Sequence, residues 1–473
     1  MKTSTILIFA CLSILAGCTV GPDYVEPTVE LAPLHNAEVV AARPAVAEEP
    51  PLDRWWQGFN DPALTKIIER VFKQNLDIQA SLERVAQARA VARVAGAKLW
   101  PTLNTSAQAL YERGSEETPL ATLAEAVIPG YKPSNYEQYN VGLGASWEAD
   151  LFGGLKRREE AALAMAAAAE ATHAGVRISI AAEAADTYFK IRGIQAQLRV
   201  AEVRITNDID LLAMLKEQRA NGLATDRDVA QGEALLAHAQ GTVPLLRMDL
   251  EAQLNRLDVL MGAQPGTYAV ELRVPAAIAV APRITAQSSD LLRRRPDVIA
   301  AERNVAAANA RIGAAIAGYY PEISLSGLLG YESLSLSRLF SSDTFQPLAM
   351  AGLRWRLFDF GRIDAEVAGA DAATREALIH YRQVVLRAAE DVENACVSLV
   401  QFEVYQQDVA RQIKALTKVY DESKAAYSAG MVPLTDVLTA DRQLLIAASE
   451  LPRAQADAAR AAVRLFRSLG GGW

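Results

Sequence analysis

The chain has 473 residues, 51% hydrophobic and 22% charged, with a net charge of -8. That acidic balance argues against nucleic acid as a partner. No stretch of 18 uncharged apolar residues follows the first twenty positions, which excludes a later transmembrane helix.

Residues 1–17 have the layout of a secretory signal: Lys2, an apolar run from Ile6 to Leu15, then Ala16-Gly17 before Cys18. A leucine, two small residues and a cysteine resemble the bacterial lipoprotein signal, in which Cys18 would become the acylated first residue. Acyl chains contribute about 0.8 kcal/mol per buried methylene, so several give a firm anchor. Thr19, in place of an aspartate, is what such lipoproteins carry when sent on to the outer membrane. The alternative is an ordinary signal with an incidental Cys18. With Cys11 in the signal and Cys18 in the anchor, only Cys396 is left, and no intrachain disulfide is available.

Beyond the signal the chain says nearly the same thing twice. Trp147, Gly153, Gly222, Asp228-Val229 and Pro244 recur 208 residues later as Trp355, Gly361, Gly430, Asp436-Val437 and Pro452. Asp77 and Pro101 recur 220 residues later as Asp297 and Pro321. The surplus of 12 lies between Pro101 and Trp147. Two copies of one long unit are expected, over 61–262 and 289–460.

Each copy opens with a helix. Asn60-Asp61-Pro62 supplies a cap and a first-turn proline, and the helix is predicted to run to Trp100. In the second copy Ser289-Asp290 caps a helix that carries Arg293-Arg294-Arg295-Pro296-Asp297 on to Tyr320. The arginines read as an anion site or as an ion-paired turn, with Pro296 kinking or restarting the helix. After each proline the hydrophobic period drops to 2. Leu103, Thr105, Ala107, Ala109 and Tyr111 form one face, and Val141, Leu143, Ala145, Trp147, Ala149 and Leu151 another. Ile323, Leu325, Gly327, Leu329 and Tyr331 follow in copy two, then Ala349, Ala351, Leu353, Trp355 and Leu357. β-Hairpins are therefore expected at 102–152 and 322–359. Segments of this length and pattern fit transmembrane strands, and equally a soluble hairpin packed on a helix.

A very long helix then follows each hairpin. From Gly153 to Gly222, and from Gly361 to Gly430, there is no proline over 69 residues, enough for about 100 Å of helix. A heptad seam runs through Leu378, Tyr381, Val385, Ala388, Val392, Ala395, Leu399 and Phe402. Gly222 and Gly430 read as left-handed caps, with returning helices starting near Thr225 and Thr435 and interrupted at Pro244 and Pro452. Four amphipathic strands cannot close a barrel, and open edges are not tolerated in lipid, so strands in a membrane would have to be pooled among several copies.

Enzyme chemistry is not expected. His35, His173, His238 and His380 are scattered without ligand spacing, no Gly-x-Ser-x-Gly elbow or phosphate loop is present, and Gly142-x-Gly144 lies within a strand pattern. No metal or cofactor site follows.

Asp61-Pro62-Ala63-Leu64, Arg294-Arg295-Pro296-Asp297, Trp147 to Gly153, Trp355 to Gly361 and the Gly-x-x-x-x-x-Asp-Val turns at Gly222 and Gly430 resemble the outer membrane factor family of TolC/OprM/NodT type. The resemblance covers essentially the whole chain beyond the signal. It implies a mainly α fold with a membrane β part: a trimeric α-helical barrel continuous with a 12-stranded outer-membrane β-barrel, four strands per protomer, with an internal two-fold repeat. It implies a lipid-anchored N-terminal segment and equatorial belt at 18–60, an equatorial linker at 263–288 and a tail at 461–473. It implies the exit duct of a tripartite efflux pump, with a periplasmic adaptor protein docking at Gly222 and Gly430, an RND-type inner-membrane transporter supplying energy, outer-membrane lipid around the barrel and no cofactor. The family's gate follows the second turn. The corresponding run here holds Asp436, Thr439, Asp441 and Arg442; Arg442 matches, but Thr439 stands where an aspartate is expected. Asp436 and Asp441 would supply an acidic constriction, or serve as a helix cap and a solvated charge. The competing reading of the chain is a periplasmic coiled-coil lipoprotein, a scaffold or adaptor with a small soluble β-domain.

Overall fold

The computed structural model of the chain describes residues 19–29, 32–43, 51–282 and 290–472; the signal segment, Cys18, Ser289 and Trp473 lie outside them. Two compact units emerge. One is built from Met1–Pro27, Gln87–Ala167 and Arg303–Leu378, the other from Thr28–Ala86, Ala168–Glu302 and Ile379–Trp473.

The first repeat contains α1 (Pro62–Gln74), α2 (Leu76–Ala97), β1 (Thr102–Glu112), β2 (Tyr136–Ala149), α3 (Gly154–Ala220) and α4 (Asp226–Leu260). The second contains α5 (Pro296–Ile316), β3 (Glu322–Ser333), β4 (Phe345–Arg354), α6 (Arg362–Ser428) and α7 (Leu434–Ser468). Both outgoing helices span 67 residues and both returning helices 35, so the 208-residue offset is kept through the whole helical hairpin. Gly153 and Gly361 precede the long helices at φ 75 and 83, a backbone region open mainly to glycine.

The returning helices are not interrupted at Pro244 or Pro452. A proline inside a helix costs about 3 kcal/mol through the lost N–H bond and the ring clash. Packing offsets it: beyond Pro452 the residues Ala454, Ala458, Ala461, Val463, Leu465 and Phe466 are all buried. Local propensity yields to tertiary burial here. α7 also starts one residue earlier than its threonine suggests, with Pro433 at the cap position.

The first opening helix, expected to be continuous to Trp100, breaks instead, and the second breaks at the equivalent point, at the proline expected to kink or restart it. Asp61 caps α1, its Oδ1 accepting from Ala63 N at 2.9 Å and Leu64 N at 3.2 Å. Its Oδ2 accepts from the Tyr188 hydroxyl at 2.6 Å, and burial first, then this bond, pushes the Tyr188 pKa well above its usual value. Between α1 and α2 the buried Asn75 accepts from Ile78 N at 3.0 Å and donates to Leu260 O at 2.8 Å. In the second repeat the short helix Asp290–Arg293 ends before Arg295, and Pro296 restarts α5. The Arg295 guanidinium donates to Ser468 O at 2.8 Å. Ser468 is the repeat counterpart of Leu260, so one carbonyl position is satisfied by an amide in one copy and a guanidinium in the other.

Around these breaks lies the aromatic core of the second unit. Trp55 stacks on Phe466 at 5.4 Å and Phe59 meets Phe189 at 4.9 Å. Short segments pack along its helices. Glu393 of α6 accepts from Asn36 N and Nδ2 at 2.9 and 2.7 Å, Arg43 donates to Glu403 of α6 at 2.8 Å through Nε, and Gln195 and Arg192 of α3 donate to Leu272 O and Val274 O, both at 2.6 Å.

In the first unit the four strands form an antiparallel meander in the order β1-β2-β3-β4. The registers place Leu103 opposite Ala145, Leu143 opposite Leu329 and Leu329 opposite Pro347, so the alternating apolar residues read from the sequence share one face, while Leu110, Leu328, Leu348 and Met350 lie on the other. Asn104, Asn140, Ser146, Ser324, Ser326 and Gln346 stand on that second face too. The fourth strand ends at Arg354, short of the alternation predicted through Leu357.

Candidate channel elements and their geometry

The sheet's apolar face is open in one chain. Leu103, Leu143, Leu329 and Leu353 are 70%, 50%, 58% and 67% exposed. A contiguous surface of this kind, bounded by two strands with no outer partner, matches a lipid-facing barrel wall and is a poor surface for water. No helix among the described residues is long and apolar enough to cross a membrane.

The residues that follow Cys18 are strapped to the same unit. Val20 N donates to Phe152 O at 3.1 Å, Arg157 donates to Val20 O at 3.1 Å and pairs with Asp23 at 2.7 Å, and Asn309 donates to Pro22 O at 3.0 Å. A Cβ on Gly21 would stand 2.4 Å from Gly313 Cα, so the strap passes where only glycines fit. Cys18 itself is outside the described residues. The strap left no signal in the sequence pattern: its partners Arg157, Asn309 and Gly313 sit on two different repeats.

The two helical turns are built alike. Gly222 and Gly430 take φ 71 and 73. Leu223 N donates to Gln218 O at 2.8 Å and Met431 N to Ala426 O at 2.9 Å, closing a Schellman turn in each repeat. A Cβ at either glycine would meet nothing within 4 Å, so these glycines serve backbone conformation and not packing. Leu223 and Met431 project 76% and 73% exposed. After the first turn Thr225 and Asp228 form a capping box, with Thr225 N donating to Asp228 Oδ2 at 2.9 Å and Asp228 N to Thr225 Oγ1 at 3.2 Å. In the second, Pro433 occupies the threonine's place and Asp436 the aspartate's. Proline has neither hydroxyl nor N–H, so the box cannot form.

Of the four residues singled out on α7, Asp441 alone is ion-paired among the described residues. Leu434, Val437 and Leu438 pack on Leu215 of α3, and Asp441 continues that buried stripe one turn further. Its Oδ2 accepts from Arg204 Nη1 at 2.8 Å, while Arg204 Nε donates to Asp208 Oδ2 at 2.5 Å. Asp208 is 1% exposed, and burial lifts its pKa against the lowering effect of Arg204. Tyr420 lies beside this group; burial and then the charge of Asp441 raise its pKa too. Asp436, Thr439 and Arg442 lie on the exposed side of α7, and the Thr439 hydroxyl donates to Thr435 O at 2.7 Å. Asp436 and Asp441 are five residues apart and so face different ways, and the acidic pair suggested by the sequence is not assembled within one chain. Arg204 and Asp208, an i,i+4 pair on α3, carry the signal that sequence reading missed.

The arginine run resolves as an ion-paired turn. Arg293 and Arg294 are exposed, whereas the buried Arg295 holds Asp297 at 2.7 Å and Asp391 at 3.0 Å and donates to Ala388 O at 3.2 Å.

An amphipathic sheet with open edges, four long helices and two matched turns are the parts of an outer-membrane channel protein. The chain belongs to the outer membrane efflux protein family, whose model matches residues 67–263 and 288–471, one stretch per repeat. It is 30% identical over 472 residues to the pyoverdine export outer membrane protein OpmQ of Pseudomonas putida, covering 98% of this chain and 96% of that one. It is 28% identical to the toluene efflux pump outer membrane protein TtgI of Pseudomonas putida, covering 100% and 99%. Among solved structures the outer-membrane channel OprN superposes with a TM-score of 0.88 at 30% identity, over 96% of this chain and 100% of that one. The chain is thus an outer-membrane efflux channel, from a family of channels and not of enzymes.

Proposed function

We propose that three copies pool their sheets into one closed 12-stranded barrel and act as the passive exit duct of a tripartite efflux pump. The observation that carries this reading is the four-stranded meander, apolar on one exposed face and unpaired along both outer strands. Membrane barrels need at least eight strands and no free edge. The chain performs no chemistry; an inner-membrane transporter of RND type supplies the energy. A periplasmic adaptor docks on the turns at Gly222 and Gly430, where Leu223 and Met431 offer paired apolar tips. Acylation of Cys18 anchors the strap, and the segments 18–60, 263–288 and 461–473 form the belt.

The closed state is held at the start of α7, where the Arg204–Asp441 tie fastens the second helical hairpin to α3. Asp436, Thr439 and Arg442, exposed in one chain, face the axis or a neighbouring copy at that level. OpmQ and TtgI are named for very different cargo, pyoverdine and toluene. A family that serves both cargoes with separate members is consistent with the transporter choosing the solute, and the same division of labour is expected here.

Membrane fractionation tests the reading. A trimer that is extracted with the outer membrane, dissociates on heating and conducts ions in planar bilayers without nucleotide is the expected result. A monomer washed off by carbonate would overturn it in favour of a periplasmic scaffold.

A further inference from the structure

The repeat makes a statement about contacts that one chain cannot contain. Positions up to the first strand of each hairpin are related by 220 residues, and positions from the second strand onward by 208. Observed contacts obey this rule. Trp147 Nε1 donates to Leu99 O and Trp355 Nε1 to Tyr319 O, each at 2.9 Å. Thr102 stands opposite Ser146 in the first hairpin, and their counterparts Glu322 and Arg354 stand opposite each other in the second. The pairing of β2 with β3, which joins the end of one repeat to the start of the next, must then have a counterpart joining β4 to another β1. The β1 of the same chain is not available, because it lies at the opposite edge of the sheet.

Two features show β4 waiting for that strand. β1 covers β2 only as far as Ser146, yet β2 runs on to Ala149 because Trp147, Glu148 and Ala149 are paired by Leu325, Ser324 and Ile323 of β3. β3 covers β4 only as far as Arg354, and there β4 stops, leaving Trp355 and Leu357 exposed and out of the ladder. Likewise Phe152 stacks on Tyr320 at 4.5 Å. Its counterpart Phe360 is 91% exposed with φ 58, and Trp100, the counterpart of Tyr320, is 73% exposed.

Resting on the reading that copies pool their sheets, we infer that β4 of one copy pairs antiparallel with β1 of the next in a defined register. Leu143 lies opposite Leu329; moving the first forward by 208 and the second back by 220 puts Ala351 opposite the partner's Ala109. Trp355 to Leu357 then become strand against the partner's residues 105 to 103, and Phe360 stacks on the partner's Trp100. Two independent details fit this register. Met350 and Leu110, exposed apolar residues on the face that also carries the Leu328–Leu348 pair, come to lie directly opposite one another, a favourable cross-strand pair. Pro347, which has no N–H to donate, falls one residue beyond the end of β1.

Disulfide trapping tests the register in full-length lipoprotein bearing Cys396→Ser. Directly opposite Cα atoms in an antiparallel ladder lie about 4.5–5.5 Å apart, within disulfide reach, whereas diagonal neighbours lie about 7–8 Å apart. β1 and β4 of one chain are separated by about 14 Å across the sheet, so every bridge formed joins two copies. Ala351→Cys with Ala109→Cys should yield covalent multimers in oxidised outer membranes at least tenfold more than Ala351→Cys with Ala107→Cys or with Tyr111→Cys. Preferential bridging of a slipped pair, or no bridging in a protein whose mass in detergent is trimeric, overturns the register while leaving the trimer intact. A monomeric mass overturns the pooled-sheet reading and the register with it. Trp100→Ala and Phe360→Ala should each lower the temperature at which the trimer dissociates, Trp100→Phe should restore most of the loss, and the double alanine variant should be no worse than the poorer single one. Additive losses would sink the stack.

Discussion

Replacing Asp441 by asparagine isolates the tie that fastens α7 to α3. An opening that swings the second helical hairpin away from α3 has to break the 2.8 Å contact between Arg204 and Asp441. Their side chains are 12% and 15% exposed, so solvent screens the pair little. A hydrogen bond to a charged group contributes about 1.5–3 kcal/mol. Asparagine keeps an acceptor oxygen but loses the charge, so about 1 kcal/mol should go, a shift of about fivefold per protomer in the opening equilibrium. Arg204 stays paired with Asp208 in this variant, so no buried charge is orphaned. Asp208 itself should titrate lower, because the Asp441 charge that helps to raise its pKa has gone. Arg204→Met removes the whole tie and should open the channel further, with some loss of stability from the unpaired, buried Asp208. Single-channel recording in planar bilayers reads the effect: conductance or open time should rise in the order wild type, Asp441→Asn, Arg204→Met. Trimeric Asp441→Asn and Arg204→Met channels that stay as closed as wild type would refute the argument.

Other outcomes follow from the same geometry. Gly430→Pro demands φ near −65 where the chain needs 73, so export should be lost while trimers persist in the membrane; undiminished export would remove the turn from adaptor docking. Arg295→Met should destabilise the second unit by about 1–3 kcal/mol, since Ser468 O and Ala388 O lose their donor while the half-exposed Asp297 and Asp391 return to water. Urea titration of the solubilised trimer checks it, an unshifted midpoint being the contrary result. Burial pushes the Cys396 thiol up to about 11, so at pH 8 a maleimide should label it only after denaturation. Rapid labelling of the native protein would contradict its burial.

Much of this architecture could be read from residue spacing. The glycines at 153, 222, 361 and 430 mark real changes of backbone, because φ near +75 is a local demand that few other residues meet. The alternation of the strands survives into one shared apolar face for an equally local reason: side chains on a strand point to opposite sides in turn. What spacing did not reveal depends on partners distant in sequence. The helix persists through Pro452 because its neighbours bury the alanines beyond it. Asp441 read as either a gate charge or a solvated one until Arg204, 237 residues away, was brought beside it. The end of β4 was misjudged for a further reason: β3 pairs with it only as far as Arg354, so within one chain the alternation through Leu357 meets no ladder.

The unequal starts of the two returning helices have a mechanical consequence. Loss of a threonine cap costs about 1 kcal/mol, and at Pro433 the reciprocal amide bond is missing as well. Fraying should therefore begin at α7 before α4, so that amide protons just after Pro433 exchange with deuterium sooner than those after Thr225. Of the two coils, the one bearing Asp441 is the softer spring, and the Arg204–Asp441 clasp sits near that weaker tip.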